Sequence, residues 1–233
     1  MTLEDALANS KSAYGMLVPM DHETDLWGEP ALRAMDIAGV APGWHCADIG
    51  AGTGVITELL AKRVTKTGRI YAVDQDPASR DAIADIALGH TQVVTLTQSV
   101  EDLTLPEAVD LAWCRFLLLH VWDPITAIAA MVKSVKPGGW LVIEEPIISA
   151  GRIDGEALSM PEARHPDVGA DIAAMVRAQG CHIEAAWAFA PVGAGPGPVA
   201  DTLEALTGVE MSDSSIVLSP LVTVVAKKPE SPR

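Results

Sequence analysis

The sequence predicts an α/β fold: a doubly wound, mostly parallel seven-stranded sheet with helices on both faces and a C-terminal antiparallel hairpin. Three observations carry this expectation. Short apolar runs alternate with amphipathic segments between residues 45 and 145, the order that lays parallel strands side by side. Gly50, Gly52 and Gly54 lie between the first such run and the first amphipathic segment, where a strand has to turn sharply into a helix. The chain has 233 residues, 49% of them apolar, which suits one domain with its own core and is cramped for two.

In order along the chain, residues 2–18 and 26–39 read as helices, separated by a polar turn from Pro19 to Glu23. The alternation then runs strand 45–49, helix 54–65, strand 69–74, helix 77–88, strand 91–97, strand 109–114, helix 122–135 and strand 139–145. Lys136-Pro137-Gly138-Gly139 stops the helix before the last of these strands, as proline and glycine do after a C-cap. A loop over 146–165 follows, then a helix near 167–179. Two strand-like runs, 181–190 and 215–226, make the hairpin, with a glycine- and proline-rich connector and a short helix near 199–207 between them. Residues 229–233 read as a frayed tail.

Charge narrows the partners. The sequence holds 31 acidic against 16 basic residues, a formal charge of -15, and its basic runs are no longer than Lys62-Arg63 and Lys227-Lys228. Such a surface repels phosphate backbones and anionic lipid. Nucleic acid and membranes therefore rank low, and a neutral, cationic or zwitterionic small-molecule substrate ranks high. Cys46, Cys114 and Cys181 sit in or beside predicted strands without CxxC or zinc-ligand spacing, and read as buried, reduced thiols. The first 25 residues carry scattered charges and no apolar core before a cleavage site. The apolar stretch from Leu111 to Trp122 is interrupted by Arg115 and is too short to cross a bilayer. The expected location is the cytoplasm.

The sharpest local feature is Cys46-Ala47-Asp48-Ile49-Gly50-Ala51-Gly52-Thr53-Gly54, a buried strand running into a glycine turn that opens a helix. Glycines let a backbone approach a ligand, and the helix start offers free N–H groups and a positive dipole end. Twenty residues after Gly54, the next strand ends at Asp74, a carboxylate placed where a ribose diol can donate to it. Together these make a nucleoside site. The glycine spacing is G-x-G-x-G, whereas a dinucleotide fingerprint needs G-x-G-x-x-G; its last glycine would fall at Val55. A nicotinamide dehydrogenase is accordingly the weakest of the readings.

From residue 30 to about 145 the chain resembles the Rossmann-like methyltransferases that use S-adenosyl-L-methionine, in particular their small-molecule and quinone-type branch. The resemblance rests on Asp48-Ile49-Gly50-Ala51-Gly52-Thr53-Gly54, Tyr71-Ala72-Val73-Asp74, Val100-Glu101-Asp102-Leu103, Trp113-Cys114-Arg115-Phe116 and Val135 through Ile143. It implies residues 1–40 as a helical lid, 41–145 as the cofactor-binding core and 146–228 as the acceptor side. Asp48, Gly50 and Gly52 would line the methionine end of the cofactor, in the loop that Gly54 closes. Asp74 would hold the ribose hydroxyls and Gln75 would lie against the adenine. The family usually has an aspartate where this chain has Ser99, so the adenine edge falls to the Val100 backbone with Glu101 or Ser99, and Arg115 contributes backbone.

Methyl transfer from a sulfonium is an in-line displacement, in which holding the nucleophile close and aligned supplies much of the acceleration. A hydroxyl or protonated amine also has to lose a proton, a task for histidine or carboxylate. His120, six residues past the fourth strand, is the leading base, with His22, Tyr14 and His165 behind it. Glu144 and Glu145 end the fifth strand and could bind a cationic acceptor or act as base. Cys114-Arg115 stands where the metal-dependent branch carries an acid, and Cys114-Arg115-Phe116-Leu117 is not the Asn/Asp-Pro-Pro-aromatic motif of base- and amide-modifying relatives. No metal is expected. Of six tryptophans, Trp27 and Trp122 are expected at the acceptor pocket and the others in the core. The alternative is a protein of the same fold that binds the cofactor without transferring methyl, as a cyclase-like enzyme or a partner subunit. A homodimer stays open.

Overall fold

A computed structural model of the chain describes residues 20–160, 162–207, 210–211 and 213–230. The predicted helix over 2–18, with Tyr14, lies outside the described residues. The main sheet has seven strands: β1 (His45–Ile49), β2 (Arg69–Asp74), β3 (Val93–Thr97), β4 (Val109–Arg115), β5 (Val135–Pro146), β8 (His182–Phe189) and β11 (Leu221–Lys227). Their spatial order is β3-β2-β1-β4-β5-β11-β8. The first five are mutually parallel, and β11 runs antiparallel to both β5 and β8.

Helices cover both faces. α1 (Met20–Ala38), α2 (Val55–Val64) and α3 (Pro77–Gly89) pack with Cys46, Ile70, Leu111, Trp113 and Val142. The opposite side chains of the same strands, such as Ala47, Val73, Cys114 and Ile143, pack under α4 (Pro124–Ser134), α5 (Ile172–Ala178) and α6 (Pro198–Thr207). Alternate residues of a strand point to opposite faces, so near-continuous apolar runs are what a sheet buried on both sides requires. Cys46, Cys114 and Cys181 are all buried free thiols, and burial pushes each thiol pKa up.

Four expectations are corrected. The turn predicted at Pro19–Glu23 is helical from Met20 onward. β5 begins at Val135, directly after α4, and Lys136–Gly139 form a bulge between the pairs Val109↔Val135 and Leu111↔Trp140. The region after β5 also holds a second, four-stranded antiparallel sheet built from β6 (Arg152–Ile153), β7 (Glu156–Ala157), β9 (Val192–Ala194) and β10 (Ser215–Val217). Its spatial order is β7-β6-β10-β9. The run read as one strand over 215–226 is split between the two sheets, β10 and β11, at Ser219-Pro220, because proline has no N–H to continue a ladder. β8 and β11 do pair antiparallel, as the hairpin expectation required.

Candidate cofactor site

The glycine loop forms where the C-terminal ends of β1 and β2 meet α2. Gly50, Gly52 and Gly54 have φ of +76°, +50° and +89°. Gly50 N–H and Ala51 N–H both donate to Val73 O, at 2.8 and 3.0 Å, which pins the loop to the end of β2. Asp74 closes the arrangement: its Oδ2 accepts from Gly52 N–H at 2.9 Å and its Oδ1 from Asp76 N–H at 2.8 Å. The carboxylate predicted from a spacing of twenty residues thus faces the loop.

A cavity of about 460 Å³ opens above it. Gly50, Gly52, Asp74 and Gln75 line one end, with Ser99, Val100 and Glu101 beside them and Arg115 and His120 further along. Two predicted site residues stand apart. Asp48 is buried and lines a small adjoining pocket; its Oδ2 accepts from Thr57 Oγ1 at 2.6 Å, fastening β1 to α2. Gly54 faces α3, and a Cβ there would collide with the Ile86 side chain. It serves close helix packing.

The loop after β3 is held by its own side chains. Gln98 Oε1 accepts from Thr104 N–H at 3.0 Å, and Ser99 Oγ accepts from Asp102 N–H at 3.3 Å. Ser99 therefore shapes a turn, while buried Val100 and exposed Glu101 present backbone and carboxylate at the cavity rim.

Arg115 is buried to 5% exposure. Its Nε and one terminal nitrogen each reach Glu144 Oε2 at 2.8 Å, and that terminal nitrogen also donates to Trp27 O at 3.0 Å. Glu144 further accepts from Trp113 Nε1 at 3.1 Å and Thr223 Oγ1 at 3.0 Å. Glu145 accepts from the main chain of Leu117, Leu118 and Leu119. Burial pushes its carboxyl up to about 8, against the lowering effect of those three N–H donors and with a further push from Glu144. Both glutamates are fully buried and neither lines the cavity, so the role expected for them at the acceptor edge is set aside. Burial of the β5 end between β4 and β11 is the reason.

His120 is exposed on the turn between β4 and α4, with its N–H donating to Leu117 O at 3.0 Å. It does not cap α4; Asp123 does, accepting from Ile125 N–H. His165 lies over the same turn, its Nε2 3.3 Å from Trp122 O, and does not line the cavity. His22 falls on α1, but its side chain is outside the described ones. Trp122 is 75% exposed, lines the cavity and carries the Arg164 guanidinium 4.5 Å from its ring centroid. Trp27, in contrast, is core, edge-on to Phe116 at 5.3 Å.

Several lining residues lie outside the motifs that carry the resemblance: Gln98, Leu117, Met160, Glu162 and Arg164. Phe116 has φ of +53°, a left-handed conformation rare for a bulky residue and a mark of functional loops. Among the described residues, no cluster of three His, Cys, Asp or Glu side chains could hold a metal ion, and no helix is long and apolar enough to cross a membrane.

Residues 47–143 match a family described as a methyltransferase domain. Among curated proteins, the chain is 32% identical over 118 residues to the ubiquinone/menaquinone biosynthesis C-methyltransferase UbiE of Hydrogenovibrio crunogenus, covering 48% of this chain and 46% of that one. The chain thus spans about half the length of the curated relatives it matches. Among solved structures it is similar to the N-methyltransferase NodS of Bradyrhizobium japonicum in complex with S-adenosyl-L-homocysteine (TM-score 0.55, 18% identity, 98% of this chain and 97% of that one). The [4+2]-cyclase SpnF also shares the fold (TM-score 0.62, 19% identity, 87% and 81%). With its sheet order, glycine loop and facing aspartate, the segment 47–143 matches the methyltransferase-domain family, and the chain shares the fold of these solved structures.

Proposed function

We propose that the chain is an S-adenosyl-L-methionine-dependent methyltransferase that methylates an oxygen, nitrogen or carbon of a small-molecule metabolite in the cytoplasm. In this reading residues 1–40 are a lid, 41–145 the cofactor core and 146–228 the acceptor side. The observation that carries it is Asp74, whose carboxylate faces the glycine loop at one end of the 460 Å³ cavity. The residues present suit the cofactor. Each Asp74 oxygen takes one backbone N–H and keeps a lone pair for a ribose hydroxyl. The loop runs so close to Leu117 that a Cβ at Gly50 would collide with its side chain.

When bound, the sulfonium supplies an electrophilic methyl group for in-line displacement. The chain's own residues position and deprotonate. Gly50 and Gly52 hold the methionine end with Asp48 behind them, Gln75, Ser99, the Val100 backbone and Glu101 flank the adenine, and the Arg115 backbone forms the inner wall. His120, at the cavity wall, takes the proton from a hydroxyl or ammonium acceptor. Trp122 and Met160 exclude water from that end. The net charge of -15 supports a small-molecule acceptor over nucleic acid, and the three buried free cysteines fit a reducing compartment.

Two measurements test the reading. Calorimetry with S-adenosylhomocysteine is expected to give binding that Asp74→Ala weakens about 10- to 100-fold, the loss of hydrogen bonds to a charged group. Methyl-labelled cofactor with metabolite extracts is expected to yield a product heavier by one methyl group. Absence of binding together with an inert Asp74→Ala overturns the reading; binding without any labelled product favours the cyclase-like or partner-subunit alternative.

A further inference from the structure

Leu117, Leu118 and Leu119 present three successive N–H groups to one side chain. Glu145 Oε1 accepts from Leu117 at 2.9 Å and Leu118 at 2.7 Å, and Oε2 from Leu119 at 3.4 Å. Glu145 is fully buried, and these donors are all main chain. A packing role would be met at lower cost by an apolar side chain, because a buried carboxyl has to be compensated group by group. The main-chain N–H groups supply that compensation in a fixed geometry, as in an anion-binding nest. Glu144, its neighbour, points to the opposite face of the sheet and serves Arg115, Trp113 and Thr223.

The turn held in this way meets three parts of the site. Its Leu117 side chain would lie 2.9 Å from a Cβ at Gly50, so it backs the glycine loop. It carries His120, whose N–H returns to Leu117 O. Its Leu119 O accepts from Arg164 N–H at 2.9 Å and His165 N–H at 3.1 Å. Those two bonds draw the segment 162–165 over the cavity, which Glu162 and Arg164 line together with Met160.

We propose that Glu145 is the positioning residue of this site: through the 117–120 turn it fixes both the wall behind the glycine loop and the segment that covers the cavity. It touches neither ligand nor cavity and acts only through the turn. The inference rests on the methyltransferase reading solely for what the cavity holds.

Hydrogen exchange on the full chain, with S-adenosylhomocysteine affinity measured alongside, tests it in two variants. Glu145→Gln keeps an oxygen in the place of Oε1, with its two donors. Glu145→Asp keeps a carboxyl group but is one methylene too short. Protection of 117–120 and of 163–166 is expected to stay near wild type in Glu145→Gln and to fall about 10-fold or more in Glu145→Asp, with β1 and β2 unchanged in both. Ligand affinity is expected to follow the same order. The proposal is overturned if Asp preserves protection and Gln loses it, if 117–120 loosens without 163–166, or if protection falls evenly along the chain. A wild-type protein that binds no S-adenosylhomocysteine would sink the cofactor reading, while the exchange comparison still decides the role of Glu145.

Discussion

Gly50 meets two constraints at once: φ of +76° and the Leu117 side chain pressed against the position of a Cβ. Gly50→Ala is expected to cost about 2 kcal/mol, the left-handed penalty plus local crowding, read as a lower urea midpoint, and to weaken S-adenosylhomocysteine binding in parallel. Glu145 yields a prediction in pH. Its folded pKa, about 8, lies above the ordinary 4.5 because burial disfavours the anion. Between those values the folded chain holds a proton that the unfolded chain has released, so this residue's contribution is present at low pH and is lost as pH rises toward 8. The slope is about 1.4 kcal/mol for each pH unit inside that window. Glu145→Gln, which cannot ionise, is expected to flatten denaturation midpoints measured between pH 5 and 9; an unchanged slope would contradict the assignment.

At the scale of elements, Arg115 and Glu144 join β4 and β5, Thr223 adds β11, and the bond to Trp27 O adds α1. Arg115→Met leaves Glu144 buried without its cation and is expected to cost about 3–5 kcal/mol, measured as a fall in thermal midpoint. That network was not legible in the sequence, where Arg115 reads as a backbone contributor to the cofactor site and Glu144 as a carboxylate at the acceptor edge. β1 and β2 were legible to the residue, since each is an apolar run closed by Gly50 or Asp74. The two-residue strands β6 and β7 are too short to show a period of two, and the second sheet was missed with them. Of the cavity wall, Gly50, Gly52, Asp74 and Gln75 follow from local order along the chain. Met160, Glu162 and Arg164 arrive with the bonds of Arg164 and His165 to Leu119, more than forty residues away, a pairing that no local pattern announces.

Across the whole molecule, the cavity sits at the C-terminal ends of the parallel strands while β11 and β8 complete the sheet on the far side of β5. β11 is paired along its whole length on both sides, Leu221 to Lys227 against β5 and β8. Removing residues 221–233 is expected to abolish the cooperative unfolding transition and expose apolar surface to dye binding, because β8 would lose its neighbour and β5 its cover. A truncated chain that still melts cooperatively would show that β5 can end the sheet. The same placement bears on synthesis at the ribosome. β8 is translated before β11 yet lies outside it, so the emerging chain has to keep an Ala- and Trp-bearing strand waiting, without its final place, until the last strand has been made. Assembly of this edge therefore waits on β11, and the interval before it is when the nascent chain is most exposed to wrong strand partners.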